Sequence, residues 1–221
     1  MSQSSQQSRH QILSRIRKGL GRHALSVDKQ QALTAAMAQP SRNLVPQRAQ
    51  ASGPAAIDMF IAMATEAAAE IIHLDKLAQL PEQLKSLLPE RDARPLVIAS
   101  ETQLTSLDWQ AAGVVTAQRV AQKGDLISLT SCMTGVAETG TLVLKSGASS
   151  PTTLNLLPDI HCVVLFKDQI IGGYEDAWDL VRQEKLPRTV NFITGPSRSA
   201  DIEQKLQMGA HGPKRLIIYL I

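Results

Sequence analysis

The spacing of apolar residues predicts an amphipathic helix close to the start of the chain. Ile12, Leu13 and Ile16 recur at helical intervals, with arginine and lysine residues around them. The stripe is narrow, and Gly19 or Gly21 is expected to end the helix. This N-terminal helix forms an arm for which three roles remain open: it packs on its own domain, docks on a partner chain, or lies on a membrane surface.

A connector and a folded domain follow the arm. Residues 37–54 are poor in apolar side chains and contain three prolines, which is typical of an extended linker. Apolar positions over residues 55–72 recur on one face and predict a helix. A second helix is predicted over 81–88, because proline is favoured in a first helical turn. We therefore divide the chain into an arm and connector over 1–54 and a domain over 55–221.

The remainder of the chain alternates between predicted strands and predicted helices. Single strands are predicted at EIIHL, PLVIAS, GVVTA, DLISLTSCMTG, GTLVLKSG, TVNFITG and KRLIIYLI, a hairpin at IHCVVLFKDQIIGG, and helices at YEDAWDLVRQEK and ADIEQKLQMG. The strands are continuous runs of valine, isoleucine and leucine, which is typical of sheets covered on both faces. The pattern therefore predicts an α/β fold.

Composition narrows the class of protein. Of 221 residues, 43% are hydrophobic and 19% are charged, as in an ordinary globular domain. The net charge of +3 and the aromatic content of 3% argue against nucleic-acid binding. The sequence contains no signal-peptide segment and no apolar run of about 18 residues. We therefore expect a cytoplasmic protein without a membrane span.

The cysteines and the missing motifs limit the cofactors that this chain can hold. Cys132 and Cys162 form neither a C-x-x-C pair nor a disulfide framework, and two thiolates cannot hold a four-thiolate iron–sulfur cluster. We expect reduced, partly buried thiols, with a redox or nucleophilic role for Cys132 as the alternative. Dinucleotide, phosphate-loop and paired-histidine motifs are absent, so we expect no metal or cofactor on this chain alone.

Polar residues beside glycine or proline mark the ends of three apolar runs. Glu138 lies at the mouth of the strand in GVAETGTLVLKSG and is the candidate catalytic carboxylate. The segment LLPDIHCVVLF places Asp159 just before a strand. The segment FITGPSRSADIE has the form of a strand, a glycine and a helix start, which favours an anion. We expect these loops to converge at one rim of the sheet as a small anion or carboxylate pocket. The candidate ligand-binding residues are Thr139, Gly140, Thr141, Asp159, Gly195, Ser197, Arg198, Asp201 and His211.

Each candidate also has a structural alternative. Glu138 could cap the turn before its strand, and Asp159 could be an ordinary turn residue. His161 begins an apolar strand and is more typical of a satisfied core histidine. Arg198 and Asp201 are three residues apart and could pair with each other. For His211, on a glycine-containing turn, a binding role and a structural role stand equally.

Four motifs together resemble one family. TGVAETGTLVL, NLLPDIHCVVL, FITGPSRSADIE and GAHGPKRLIIYLI closely resemble, in order and spacing, the LUD-domain proteins of the lactate utilisation protein C family, over about residues 55–221. The resemblance implies the fold of glucosamine-6-phosphate deaminase, ribose-5-phosphate isomerase and the CoA transferases: a parallel-rich open sheet with helices on both faces, here preceded by the N-terminal helical arm. It also implies a role in oxidising L-lactate to pyruvate, with two partner subunits that carry the iron–sulfur clusters.

The resemblance leaves three functions open for the chain. Family members commonly carry an arginine where this chain reads ASSPTTLNLLPD without a basic residue; if that arginine contacts an anionic ligand in relatives, the contact is lost or relocated here. Class II CoA transferases resemble the Glu138 loop in placing a glutamate before Asn-Gly, whereas Thr139-Gly140 follows here. The functions are a non-redox subunit of a lactate-oxidising assembly, a CoA-transferase or sugar-phosphate type of enzyme that uses Glu138, and an adaptor without chemistry.

Overall fold

The computed structural model describes residues 3–22, 24–38, 40–42, 44–88, 94–200, 206–208 and 211–221. The chain forms two units, Met1–Asn43 and Leu44–Ile221. In the first unit, helix α1 spans Gln3–Gly19 and confirms the helix predicted from the apolar stripe. Helix α2 spans Val27–Ala38, where alanine and glutamine favour a helix although no apolar stripe predicts one.

The second unit opens with a 3-10 turn at Gln47–Gln50 and continues into helix α3, Gly53–Glu66. The helix predicted over residues 55–72 ends earlier because Ala68 takes a left-handed φ of 64°. The N–H groups of this alanine and of the next residue then donate back to carbonyls of the last helical turn. This cap frees the following residues to form a strand.

The described part of the second unit continues with short strands and helices. The strands are β1 (Glu70–His73), β2 (Leu96–Ile98), β3 (Thr116–Ala117), β4 (Ile127–Ser131), β5 (Thr134–Val136), β6 (Thr141–Lys145), β7 (Ile160–Leu165), β8 (Ile170–Ile171), β9 (Val190–Ile193), β10 (Arg198–Ala200), β11 (Leu206–Met208) and β12 (Arg215–Leu220). The helices are α4 (Leu80–Lys85), α5 (Thr102–Thr105), α6 (Thr153–Leu156) and α7 (Tyr174–Arg182). None of the helices in the described ranges has the length and apolar character needed to cross a membrane.

Six parallel strands form the main sheet, in the order β1-β12-β7-β4-β2-β3. Alternate residues of β7 enter two different cores. Cys162 and Val164 belong to the core that includes α4, on one face. Val163 and Leu165 belong to the core that includes Phe60 of α3, on the other face. Helices therefore cover both faces, which confirms the predicted parallel-rich α/β architecture.

A smaller four-stranded sheet has the order β8-β5-β6-β9, and α7 packs on it. The segment DLISLTSCMTG, predicted as one strand, is two, because the chain leaves the main sheet after β4 and enters the smaller one as β5. The hairpin predicted at IHCVVLFKDQIIGG is wrong. Strand β7 is hydrogen-bonded to β12 on one side and β4 on the other, so neither edge is free for β8.

The helix predicted at ADIEQKLQMG is not formed by the residues of this segment that the structure describes, Ala200 and Leu206–Met208, and residues 201–205 and 209 lie outside the described residues. Strand β10 pairs antiparallel with β11, so the described backbone of this segment is hydrogen-bonded across a ladder rather than along a helix. The helix start expected after Gly195 is therefore not formed by the described residues. These described residues therefore provide no helix dipole to attract an anion.

Candidate functional site

The predicted site residues fall into two places in the second unit. The first, which we call the Glu138 cluster, consists of Glu138 with Arg48 and the hydroxyl residues Thr139, Thr141, Tyr174 and Thr194. The second, which we call the His161 cavity, is a hollow of about 270 Å³. It is lined by Asn155, Leu156, His161, Phe192, Ile193, Thr194, Gly195, Pro196, Ser197, His211, Gly212, Pro213 and Leu216.

Glu138 follows β5 and ties three chain segments together. Its side chain is only 7% exposed. Its Oε1 accepts the backbone N–H of Tyr174 at 3.2 Å, at the first residue of α7. Its Oε2 lies 3.6 Å from Nε of Arg48, in the 3-10 turn that opens the unit. A carboxylate at a helix N-terminus is stabilised by the free N–H groups there, so these contacts favour a structural role for Glu138, at the start of α7 rather than in the turn before its own strand.

Two adjacent glycines make room for this arrangement. A Cβ at Gly172 would overlap the carbonyl oxygen of Ala49 in the 3-10 turn. A Cβ at Gly173 would lie 2.7 Å from the Ala49 side chain and 3.3 Å from Oε1 of Glu138. The glycine pair that precedes α7 therefore lets the turn approach closely enough for its arginine to reach the carboxylate.

Hydroxyl groups beside Glu138 form a closed network. The Oγ1 atoms of Thr139 and Thr141 are 2.7 Å apart, and each lies 2.9 Å from the hydroxyl of Tyr174. Oγ1 of Thr141 also lies 2.5 Å from Oγ1 of Thr194, which follows β9. The network binds α7 to the smaller sheet, and the hydrogen bonds of these hydroxyls join them to one another rather than to a base that would activate a nucleophile.

Two glycine turns fix the position of this region against the end of α3. Gly140 and Gly195 have left-handed φ angles of 64° and 72°. A Cβ at the first would overlap the backbone of Ala64, and a Cβ at the second would overlap the carbonyl oxygen of Ala67. Both candidates therefore have a steric reason to be glycine that does not depend on a ligand.

The His161 cavity lies at the amino ends of β7 and β12 and at the carboxyl end of β9. His161 and Leu216 are the second residues of their strands, and their Cα atoms are register partners. Thr194 lines this cavity and also a neighbouring one of about 330 Å³ that reaches Glu138. The cavity itself contains Gly195, Ser197 and His211 of the predicted set but not Glu138.

Two buried side chains of the cavity carry polar atoms that lack a hydrogen-bond partner among the described residues: Nδ1 of His161 and Oδ1 of Asn155. The other ring nitrogen of His161, Nε2, lies 2.9 Å from Oγ1 of Thr130 on β4. Burial lowers the pKa of His161 to about 3, so the ring is neutral at ordinary pH. His161 is therefore not the fully satisfied core histidine that the sequence favours.

The rim of the cavity joins two of the predicted segments. The backbone N–H of His211 donates to Oγ of Ser197 at 3.4 Å. The backbone N–H of Ser197 donates to the carbonyl oxygen of Pro213 at 2.8 Å. The imidazole of His211 belongs to an exposed residue, so it lies at the solvent side of the cavity.

Three other candidates lie outside both places or outside the description. Arg198 is exposed on β10 and does not line the cavity. The carboxylate of Asp159 accepts a hydrogen bond from Nζ of Lys214 at 3.1 Å, and both side chains are half exposed. Asp201 lies outside the residues that the structure describes. The candidate site residues that were expected to converge at one rim of the sheet therefore lie in separate places.

The cysteines lie in the core. Both Cys132 and Cys162 are free and buried, and burial raises the pKa of each thiol. Sγ of Cys132 donates to the carbonyl oxygen of Val164 at 3.5 Å. Across the described ranges, no three His, Cys, Asp or Glu side chains are grouped in a way that would hold a metal ion.

Comparison with known proteins adds a family and a fold. The sequence model of the LUD domain matches residues 57–221. Lactate utilization protein C of Bacillus subtilis (strain 168) is 26% identical, over 100% of this chain and 99% of its own length. Lactate utilization protein C of Anoxybacillus flavithermus is 28% identical over 65% of this chain and 70% of its own. The crystal structure of a DUF162 family protein from Deinococcus radiodurans, 23% identical, superposes with a TM-score of 0.54 over 75% of this chain and 95% of that one, which shows the same fold.

Proposed function

The chain belongs to the LUD domain family, and on this premise we propose that it is a non-redox subunit of a system that oxidises L-lactate to pyruvate. The observation that carries the proposal is the end-to-end match with a lactate utilization protein C, which includes the arm as well as the domain. In this proposal two partner subunits carry the iron–sulfur clusters. The chain contributes a site for a small anionic ligand and a surface for the partners.

The need for partners follows from the chemistry. Oxidation of a hydroxy acid to a keto acid releases two electrons, which a redox centre has to accept. This chain has two cysteines, and burial keeps both as thiols by raising their pKa. Four thiolates are the usual ligands of an iron–sulfur cluster, so the clusters of such a system belong on other chains.

The arm has the character of a docking surface. Residues 1–43 contain seven Lys or Arg and one Asp, for a net charge of +6, whereas the rest of the chain carries −3. Ile12 and Ile16 on α1 and Leu20 just after it are 51–59% exposed, and α2 has no buried residue. An apolar stripe that stays in water within a basic setting favours a partner with an apolar patch and acidic residues around it.

A groove in the arm gives this surface a shape. It measures about 700 Å³, and Arg17, Arg22 and Lys29 lie beside its apolar wall. The apolar wall is formed by Leu13, Ile16, Leu20, Ala24 and Leu25. A helix-in-groove contact would place apolar anchors of a partner here and its carboxylates against the basic side chains.

The contacts of Glu138 support a CoA-transferase type of reaction less well than they support a structural role for this residue. Both carboxylate oxygens have partners, the N–H of Tyr174 and the guanidinium of Arg48. A nucleophilic carboxylate needs a free oxygen directed at the acyl group. The contacts instead support a role in holding α7 and the 3-10 turn together.

Anaerobic co-purification tests the proposal. Immunoprecipitation of the full chain from its native host grown on L-lactate should retain two iron–sulfur proteins in amounts similar to its own. A variant with Ile12→Glu and Ile16→Glu places charge on the exposed stripe and should lose them at least about tenfold. Wild-type protein that retains no iron–sulfur partner under these conditions contradicts the proposal. If the variant retains both iron–sulfur proteins fully, the exposed stripe of the arm does not contribute to their binding.

A further inference from the structure

Residues 44–51, which we call the strap, lead into α3 and reach the Glu138 cluster through Arg48. The backbone hydrogen bonds of the strap are local: the N–H of Ala49 donates to the carbonyl oxygen of Pro46, and the N–H of Ala51 donates to that of Arg48. In the part of the chain that the structure describes, no backbone hydrogen bond joins the strap to the rest of the second unit. The strap therefore lies on the domain without belonging to a sheet.

Ala49 and Arg48 make the contacts that hold the strap against the Glu138 cluster. Ala49 is 3% exposed and lies where Gly172 and Gly173 leave room for it, since a Cβ on either glycine would overlap its atoms. Nε of Arg48 lies 3.6 Å from Oε2 of Glu138, which is longer than an ordinary hydrogen bond. An ion pair with a largely exposed arginine contributes little to stability. Closure of the strap over Glu138 therefore rests on one alanine in a glycine notch and one weak ion pair.

Arg48 also separates two cavities that meet at Glu138. One measures about 310 Å³ and the other about 330 Å³, and Arg48, Glu138 and Thr139 line both of them. The first cavity continues to the strap and to Tyr174 of α7, and the second continues to Thr194 beyond β9. Movement of Arg48 away from Glu138 would therefore join the two cavities and uncover Oε2 of the carboxylate.

Opening of the strap requires only a local change. The hydrogen bonds of its 3-10 turn are internal and move with it, and Ala51, which packs on the core that contains Phe60, keeps the end next to α3 in place. Segments with few buried contacts open locally much more often than a domain unfolds. We propose that residues 44–51 form a lid over Glu138, closed in this structure by Ala49 and Arg48, which swings about Ala51 and joins the two cavities when it opens. This lid does not depend on the function in lactate utilisation.

Hydrogen exchange of the wild-type full chain tests whether the lid opens without the domain. The amide of the buried Ala49 reports opening, and the amides of Val163 and Ile217, in the neighbouring strands β7 and β12, report unfolding of the core. Relative to unstructured peptides, the Ala49 amide should exchange at least about a hundredfold faster than the core amides. Low urea concentrations that accelerate the core amides should leave its rate unchanged. Protection equal to that of the core, or the same urea dependence, would overturn the proposal.

Transfer of a methyl group across the notch tests the contact at Ala49. Gly173 has an extended backbone with a φ of −139°, but a Cβ there would lie 2.7 Å from the Cβ of Ala49. Gly173→Ala should therefore speed exchange of the Ala49 amide at least about tenfold while the core amides keep their rates. Adding Ala49→Gly removes the opposing methyl, so the double variant should exchange at residue 49 no faster than Ala49→Gly alone. Additive effects of the two changes would show that the notch does not hold the lid.

Thiol labelling tests whether Arg48 closes the way to the Glu138 cluster. Thr139→Cys places a thiol at the wall of both cavities. The two native cysteines are buried, and burial raises the pKa of each thiol, so they react slowly. Adding Arg48→Gln should raise the rate of labelling by N-ethylmaleimide at least about fivefold. Lys214→Gln is the matched control, because it removes the half-exposed ion pair with Asp159 instead, and it should leave the rate unchanged. No increase with Arg48→Gln, or an equal increase with Lys214→Gln, would contradict closure by Arg48.

Discussion

At the scale of single residues, burial determines what His161 can do. The ring has no exposed surface, and removal from water lowers its pKa to about 3 because the charged form loses its hydration. The unfolded chain, in contrast, protonates this residue near pH 6.5, as an ordinary histidine does. Between about pH 3 and about pH 6.5 the folded state therefore binds one proton fewer than the unfolded state.

This difference predicts a pH dependence of stability. Because the folded pKa is depressed, the contribution of His161 is fully present above about pH 6.5 and is lost progressively as the pH falls towards about 3, by about 1.4 kcal/mol per pH unit. His161→Gln cannot titrate and should reduce the loss in unfolding free energy between about pH 7 and about pH 5, as measured with urea. An identical pH dependence in the two proteins would show that the ring is protonated in the folded state.

Glu138 provides a second residue-scale prediction. Glu138→Gln keeps an oxygen for the N–H of Tyr174 and loses the ion pair with Arg48, whose side chain is 63% exposed. The free energy of unfolding should fall by less than about 1 kcal/mol. Glu138→Ala also leaves the N–H at the start of α7 without its acceptor and should cost about 1–3 kcal/mol. Equal stability of all three proteins, together with loss of growth on lactate in both variants, would indicate a chemical role instead.

Sequence patterns identified the segments that carry the candidate site residues, but not the side chains from other segments that contact them. Glu138 and its threonines stood out because a carboxylate beside glycines at the mouth of an apolar strand is unusual. Arg48 and Tyr174 gave no such signal, because they reach Glu138 from distant parts of the chain. Asn155 was visible only as one of the two polar residues of NLLPD, and nothing in the sequence indicated that its side chain is buried.

At the scale of elements, two turns depend on α3. Gly140 packs against the last turns of the helix and Gly195 packs against its cap. These turns carry residues of the Glu138 cluster and of the His161 cavity. The end of α3 therefore sets the spacing between the two places.

A matched pair of glycine variants separates steric overlap from backbone strain. Gly195 and Gly113 have φ angles of 72° and 71°, but a Cβ would overlap Ala67 at the first and meet nothing within 4 Å at the second. Gly113→Ala should cost about 1 kcal/mol from the left-handed conformation alone. Gly195→Ala should cost at least about 2 kcal/mol more, because rigid backbone has to move. Equal losses in thermal unfolding would contradict the close packing of this turn on α3.

Apolar patterns in the sequence predict where strands lie but not how they pair. Apolar runs predicted β2 and β12 of the parallel main sheet and also β6 and β9, which pair antiparallel in the smaller sheet, because all four are short runs of mostly apolar residues. The runs carry no information about which sheet a strand joins. The wrong hairpin at β7 and β8 arose for this reason, since proximity in sequence favours pairing unless both edges of a strand are already occupied.

At the scale of the whole molecule, charge and exposure separate the arm from the domain. The arm carries +6 within a chain of net charge +3. Its two helices keep apolar side chains exposed, among them Leu33 at 53% and Met37 at 80%. We therefore expect the arm to contribute little to the folding of the domain and, in the proposed function, to contact a partner.

Removal of the arm should therefore leave the stability of the domain unchanged. A chain that begins at Leu44 retains Arg48 and the 3-10 turn, so we expect its free energy of unfolding to lie within about 0.5 kcal/mol of the full chain. Denaturant unfolding of both proteins checks this. A loss of several kcal/mol would mean that the arm packs on its own domain, the alternative that the sequence left open.

Growth on L-lactate as the sole carbon source tests the central claim most directly. Deletion of this gene in its native host should abolish that growth while growth on pyruvate stays normal, and the wild-type chain supplied in trans should restore it. The proposal predicts this selective loss because the subunit acts between lactate and pyruvate. Normal growth of the deletion strain on lactate, in the absence of a second lactate-oxidising system, would contradict it.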